Sequence, residues 1–158
     1  RIAGKLGAQC PESVPVRCIV YVSAATPEMS AEGLDFIVSE SARLNRENGI
    51  TGVLLHSEGD FMQCIEGPAA AIAETFTRIN ANRRHRGLIV LMDEPLSRRA
   101  FAAWHMGSAG IPPSEMLALK TARWEQARTV IDQADDLPAG FELLSQFWRN
   151  ARWPRGTN

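Results

Sequence analysis

The stretch Ser57-Glu58-Gly59-Asp60-Phe61-Met62-Gln63-Cys64-Ile65-Glu66-Gly67-Pro68 decides the fold. Its first four residues have turn character, and Phe61–Ile65 is a short, mostly apolar run, the pattern of a strand leaving a hairpin. Ile50–His56, ahead of the turn, is its antiparallel partner. Gly67-Pro68 breaks the strand and sets Pro at the first turn of a following helix. With a period of two, Phe61, Gln63 and Ile65 share one face. A primary amide between Phe and Ile on a buried face needs hydrogen-bond partners, because leaving it unpaired costs about 1–3 kcal/mol. Either another part of the protein satisfies Gln63, or a ligand does.

Working outward, Val16–Val22 is a strand with Cys18, Val20 and Val22 on one face and Ile19 and Tyr21 on the other. Ser30 is placed to cap a helix along which Leu34, Ile37, Val38, Ser41, Leu44, Asn45 and Asn48 follow helical spacing. That stripe turns polar at its C-terminal end, and Gly49 closes the helix in a left-handed conformation. Downstream of Pro68, Ile72, Phe76 and Ile79 form the buried stripe of a second helix, with Arg83-Arg84-His85-Arg86 at its C-terminal end. Gly87–Met92 is the fourth strand. Ala100–Ser108 is expected as a fifth, with Ala102, Trp104 and Met106 on one face.

The order β-α-β-β-α-β-β contains two right-handed crossover units joined by a hairpin. It predicts an α+β fold, a ferredoxin-like sheet with both helices on one face and the fifth strand at an edge. Beyond Ile111-Pro112-Pro113 the pattern becomes helical, over 114–134 and Phe141–Arg152, with Phe141, Leu144, Trp148 and Ala151 in one stripe. These C-terminal helices are expected to cover the sheet's other face. The chain is divided into a leader arm at 1–15, a central domain at 16–110 and a helical extension at 111–158.

The 158 residues suit one domain, and a net charge of −1 gives no reason to expect direct nucleic-acid or membrane-surface binding. Cys10, Cys18 and Cys64 lack metal-ligand spacing and fit a reduced, cytoplasmic compartment; His85 and His105 are too isolated for a metal. No apolar run reaches membrane-spanning length. The chain contains a single tyrosine, Tyr21.

Tyr21, Asn45, Gln63, Trp104 and Met106, with the phrases Asn48-Gly49-Ile50-Thr51-Gly52 and Gln63-Cys64-Ile65-Glu66-Gly67-Pro68, resemble the BLUF family of blue-light sensors that use FAD. The resemblance covers residues 16–110. It implies a non-covalent flavin, FAD with FMN or riboflavin as alternatives, lying between the two helices. Asn45 would meet the pyrimidine edge of the ring and Arg84 its far end. Ile37, Leu54, Phe61 and Ile79 would pad its faces. Tyr21, Gln63, Trp104 and Met106 would form the photoactive set, with the Gln63 amide bridging the Tyr21 hydroxyl and the ring. Asn82 stands where many relatives place Asp.

The chemistry of these side chains suits such a switch. A phenol is a neutral donor and acceptor at working pH and can give up an electron with its proton. Gln63 can present carbonyl or NH₂ to the same neighbour, so a Tyr–Gln row has two arrangements built on the same atoms. Residues 111–158 are too few for a cyclase or phosphodiesterase domain, and no enzyme activity is expected. Signalling is expected to leave through strand five and the C-terminal helices, to a separate protein partner or within a homo-oligomer.

Each residue taken alone has a plainer explanation. Tyr21 would be a core aromatic, Asn45 a helix-end polar residue, Arg83–Arg86 a solvated basic helix end, and Trp104 and Met106 core filling. An acyl-phosphate hydrolase on this fold needs an anion cradle after strand one, and Ser23–Met29 carries no Arg, Lys or Gly run. A light-insensitive ferredoxin-like interaction module is the remaining alternative, and retention of Tyr21 and Gln63 argues against it.

Overall fold

A computed structural model describes residues 16–124 and 137–151. The leader arm, the second half of the expected 114–134 helix, Cys10 and Arg152 lie outside these residues. In chain order the elements are β1 (Val16–Ala25), α1 (Ala31–Asn48), β2 (Thr51–Ser57), β3 (Asp60–Pro68), α2 (Ala69–Ala81), β4 (His85–Leu96), β5 (Gly107–Gly110), α3 (Pro113–Thr121) and α4 (Ala139–Ala151).

The hairpin between β2 and β3 forms because Glu58 and Gly59 both take positive φ, 45° and 87°. This is the two-residue turn whose twist matches the flanking strands. The strand order is β4-β1-β3-β2-β5. The pairs β1–β3, β1–β4 and β2–β3 are antiparallel, whereas β5 runs parallel to β2 at the edge. This is the ferredoxin-like arrangement with one added edge strand.

Both faces of the sheet are covered, which is why β1 presents the nearly unbroken apolar run Cys18-Ile19-Val20-Tyr21-Val22. One core holds Ile19, Tyr21, Leu54, Phe61 and Ile65 beneath α1 and α2, to which Leu34, Val38, Ile72, Phe76 and Ile79 contribute. The other holds Cys18, Val20, Val22, Val53, Leu55, Met62 and Cys64 beneath Met116 and Leu119 of α3 and Phe141, Leu144 and Trp148 of α4. The expected split of β1 and β3 side chains between two faces is therefore found. So is the covering of the second face by C-terminal helices.

Local caps follow the sequence. The Ser30 hydroxyl accepts from Gly33 N at 3.0 Å. Gly49 takes φ 70° and, with Ile50, donates to the Asn45 carbonyl. Pro68 is the residue before the first turn of α2 rather than within it. The basic run is not a helix end either, because α2 stops at Ala81 and β4 begins at His85.

The segment 100–106 is the main correction. It is not a strand, and β5 is only Gly107–Gly110. The carboxylate of Glu66, fully buried on β3, accepts from Ala100 N at 2.9 Å and Phe101 N at 2.6 Å. A side chain thus satisfies backbone groups that a strand neighbour would otherwise take. Trp104 N then donates to Phe101 O at 3.0 Å, closing a turn, and Gly52 N donates to Trp104 O at 2.7 Å. The turn breaks the period of two, so Trp104 and Met106 part company. Trp104 packs with the C-terminal-helix core, its ring 5.8 Å from that of Trp148 in an edge-on contact. Met106 enters the core under α1 and α2. Gly107, next in the chain, lies so close under α4 that a Cβ there would come within 2.4 Å of the Trp148 ring.

Candidate functional site

Tyr21 on β1 lies directly opposite Gln63 on β3, both on the face beneath the helices. The Tyr21 hydroxyl donates to Gln63 Oε1. Both side chains are buried, at 4% and 9% exposure. Burial pushes the Tyr21 phenol well above its ordinary pKa, so it remains a neutral donor. The other end of the amide, Gln63 Nε2, has the Met106 Sδ at 3.5 Å. A thioether is a weak acceptor, so the NH₂ group keeps donor capacity for a stronger partner.

That capacity faces a cleft between α1 and α2. The cleft has a part of about 160 Å³ lined by Ile37, Ser41, Leu44, Asn45, Gln63, Ile79, Asn82 and Arg84 among others. A further part of about 70 Å³ reaches Tyr21, Leu54, Phe61 and His85. Ile37, Gln63, Ile79, Asn82 and Arg84 border both. The expected wall residues Ile37, Leu54, Phe61 and Ile79 are thus brought to one space with Asn45, Gln63 and Arg84. Trp104 is not; it stands on the opposite side of the sheet.

Asn45 is 3% exposed at the last turn of α1, and its Nδ2 donates to the His105 carbonyl at 2.6 Å. His105 Nδ1 meets the Ile50 carbonyl at 3.0 Å. Asn45 therefore ties the segment before Met106 to the helix as well as bordering the cleft. Asn82 Oδ1 accepts from Arg84 N at 2.9 Å, shaping the turn that sets Arg84 at the rim. There the Arg84 guanidinium lies 5.5 Å from the centroid of the Phe36 ring.

Three contributors escaped the sequence reasoning. Arg78, in the last turn of α2, borders the larger part of the cleft and donates to Thr75 Oγ1 at 3.2 Å. It is one of many surface arginines in the sequence, and only the helix register singles it out. His85 lies tilted against Tyr21 with ring centroids 6.3 Å apart, a contact made by the β1–β4 pairing. Glu66, part of the quoted motif, carries no expectation there and proves to hold the segment leading to Met106. Among the described residues no cluster of His, Cys, Asp or Glu is arranged to hold a metal ion.

Apolar walls, three amides and two guanidinium groups around a slot between helices are the polar and apolar set that a planar, polar-edged ring system requires. The family model described as "BLUF: Sensors of blue-light using FAD" matches residues 16–107. The chain belongs to the BLUF family. A photoactivated adenylate cyclase beta subunit of Euglena gracilis is 37% identical over 101 residues, 63% of this chain. The chain spans only 11% of that relative's length. Among solved structures, the BLUF protein BlrB in its dark state is 31% identical, covers 66% of this chain and 78% of its own, and has a TM-score of 0.59. BlrP1 of Klebsiella pneumoniae, solved with FMN and cyclic diGMP, is 26% identical over 85% of this chain and 35% of its own, with a TM-score of 0.61. A BLUF domain is a flavin-binding sensor module, and the residues of this cleft fit a flavin. No helix among the described residues is long and apolar enough to cross a membrane.

Proposed function

We propose that this chain is a blue-light photoreceptor whose switch is the hydrogen bond between Tyr21 and Gln63. That bond carries the proposal, because it joins the single tyrosine to an amide bordering the cleft. A bound flavin would supply blue absorption and an excited state that demands an electron. Asn45, Gln63 and Arg84 would hold its polar edges, and Ile37, Leu54, Phe61 and Ile79 its faces. FAD is favoured over FMN or riboflavin by the family's description, and exposed Arg78 at the rim suits a phosphate, which FAD and FMN carry and riboflavin lacks.

The chain's own residues then act in sequence. Loss of an electron makes the phenol strongly acidic, and the proton leaves Tyr21 Oη along the existing hydrogen bond to Gln63 Oε1. Return of electron and proton leaves the amide free to settle with its ends exchanged, NH₂ toward Tyr21 and carbonyl toward Met106. A carbonyl repels the thioether that the NH₂ attracted, so Met106 shifts. Met106 adjoins Gly107 beneath Trp148, and Trp104 touches Trp148 as well, which offers a route to α4 and onward to a separate protein partner.

Absorption spectroscopy on the purified full chain tests this. The protein should be yellow, release an intact flavin on denaturation, and show a small reversible red shift under blue light. Gln63→Leu keeps roughly the volume but removes donor and acceptor, so it should bind flavin and show no shift. A full reversible shift in Gln63→Leu would refute the switch even with flavin bound. A colourless wild-type protein that ignores added flavin would refute the photoreceptor reading itself.

A further inference from the structure

The outer edge of the sheet points to a second copy of this chain. Among the described residues β4 has a strand neighbour on one side only, β1. Along it runs Gly87-Leu88-Ile89-Val90-Leu91-Met92, without a charge. Ile89 is 60% and Val90 43% exposed. Natural edge strands are usually blunted by charged side chains, Lys above all, or by Pro, because an open apolar edge is a template for another strand. Here such residues lie only at the two ends, and the ends carry opposite signs. His85 and Arg86 precede the apolar run, while Asp93 and Glu94 follow it.

An antiparallel copy of the same strand matches that pattern. A two-fold axis at Val90 sets Arg86 of one copy against Glu94 of the other, twice over. Relative to β1 the strand carries one register shift on either side of Val90, between Met92 and Val90 and between Ile89 and Arg86, so the two halves remain matched about that residue: Arg86 pairs with Ala24 and Glu94 with Cys18. Both β1 partners sit at even positions of one strand, so the two side chains project on the same face and can meet. A parallel copy would instead align like charges. We propose that β4 is a homodimer edge, at which two copies join their sheets in antiparallel register around Val90. The proposal does not depend on the flavin. It does place the axis beside the site, since Val90 is the register partner of Tyr21.

Light scattering and sedimentation equilibrium on the full chain test it. The wild type should show twice the 17.4 kDa mass of one chain at micromolar concentration. Val90→Lys and Ile89→Lys replace exposed side chains, so each should give the single-chain mass with an unchanged circular dichroism spectrum. Arg86→Glu and Glu94→Arg should each raise the dimer dissociation constant about tenfold or more, by setting like charges together at both ends. Mixed in equal amounts, these two variants should recover the wild-type constant, because the heterodimer is complementary at both ends. A wild-type chain with single-chain mass overturns the proposal. So does a dimer that Val90→Lys leaves intact, or a charge-swapped mixture that stays as weak as its components.

Discussion

Replacing Glu66 should unfasten the segment that carries Met106, without touching the cleft. Glu66 is fully buried and accepts from Ala100 N, Phe101 N and Thr51 Oγ1 at 2.9, 2.6 and 3.0 Å. Arg99 lies alongside, donating to the same Thr51 hydroxyl at 3.1 Å and to the Gly49 carbonyl at 2.7 Å. In Glu66→Ala two backbone N–H groups lose their acceptor. At about 1–3 kcal/mol for each orphaned donor, the loss should reach about 2–6 kcal/mol. Glu66→Gln keeps one oxygen but turns an NH₂ toward an N–H, so its loss should be about half as large. Urea unfolding followed by circular dichroism reads both, and hydrogen exchange should accelerate at the Ala100 and Phe101 amides. Burial, outweighing the hydrogen bonds and Arg99, holds the Glu66 carboxyl above its ordinary pKa. The folded state then keeps this proton longer than the unfolded state. The associated stability is complete below the ordinary carboxyl value and is lost as pH rises through the folded value. Glu66→Gln should lack that component of the pH dependence. A Glu66→Ala protein within about 0.5 kcal/mol of wild type, with both amides still protected, would refute the clasp.

Tyr21→Phe should retain flavin but lose the normal red shift, and no second phenol exists to replace it. A normal shift in that variant would exclude Tyr21 as donor. Met106→Ala should keep the absorbance change while reducing any light-dependent difference in hydrogen exchange in α3 and α4; an undiminished difference would place the relay elsewhere. Gly107→Ala forces its Cβ to within 2.4 Å of the Trp148 ring, and overpacking of this kind costs about 1–3 kcal/mol. Its thermal midpoint should fall while its spectrum in the dark stays that of the wild type, and an unchanged midpoint would mean that α4 yields freely.

How much of this was legible in the sequence depends on where each group finds its partner. The hairpin, the Ser30 and Gly49 caps and the two faces of β1 and β3 are settled by near neighbours and strict periods, and they emerge as expected. The approach of Tyr21 to Gln63 required only the strand order. The segment 100–106 departs from the strand its alternation implies because the backbone of Ala100 and Phe101 finds its partner in the Glu66 side chain, far earlier in the chain, and alternation cannot register a bond of that kind. For the same reason the sequence does not show the bond from Asn45 to the His105 carbonyl. Helix α3 is shorter than the expected 114–134. It ends at Thr121, and the Trp124 indole donates back to the Leu119 carbonyl at 2.8 Å.

Val20 and Tyr21 are adjacent in the chain, yet they belong to separate cores on opposite faces of the sheet. Gln63, the register partner of Tyr21, likewise faces away from the core that holds its neighbours Met62 and Cys64. Neighbours on a pleated strand share a peptide plane, so tilting one tilts the other the opposite way, as with the two arms of a rocker. A rearrangement at Gln63 therefore need not travel around the edge of the molecule. A tilt of one peptide would press directly on the floor beneath α3 and α4, and the sheet would act as a one-residue-thick diaphragm between a light-sensing chamber and an output chamber.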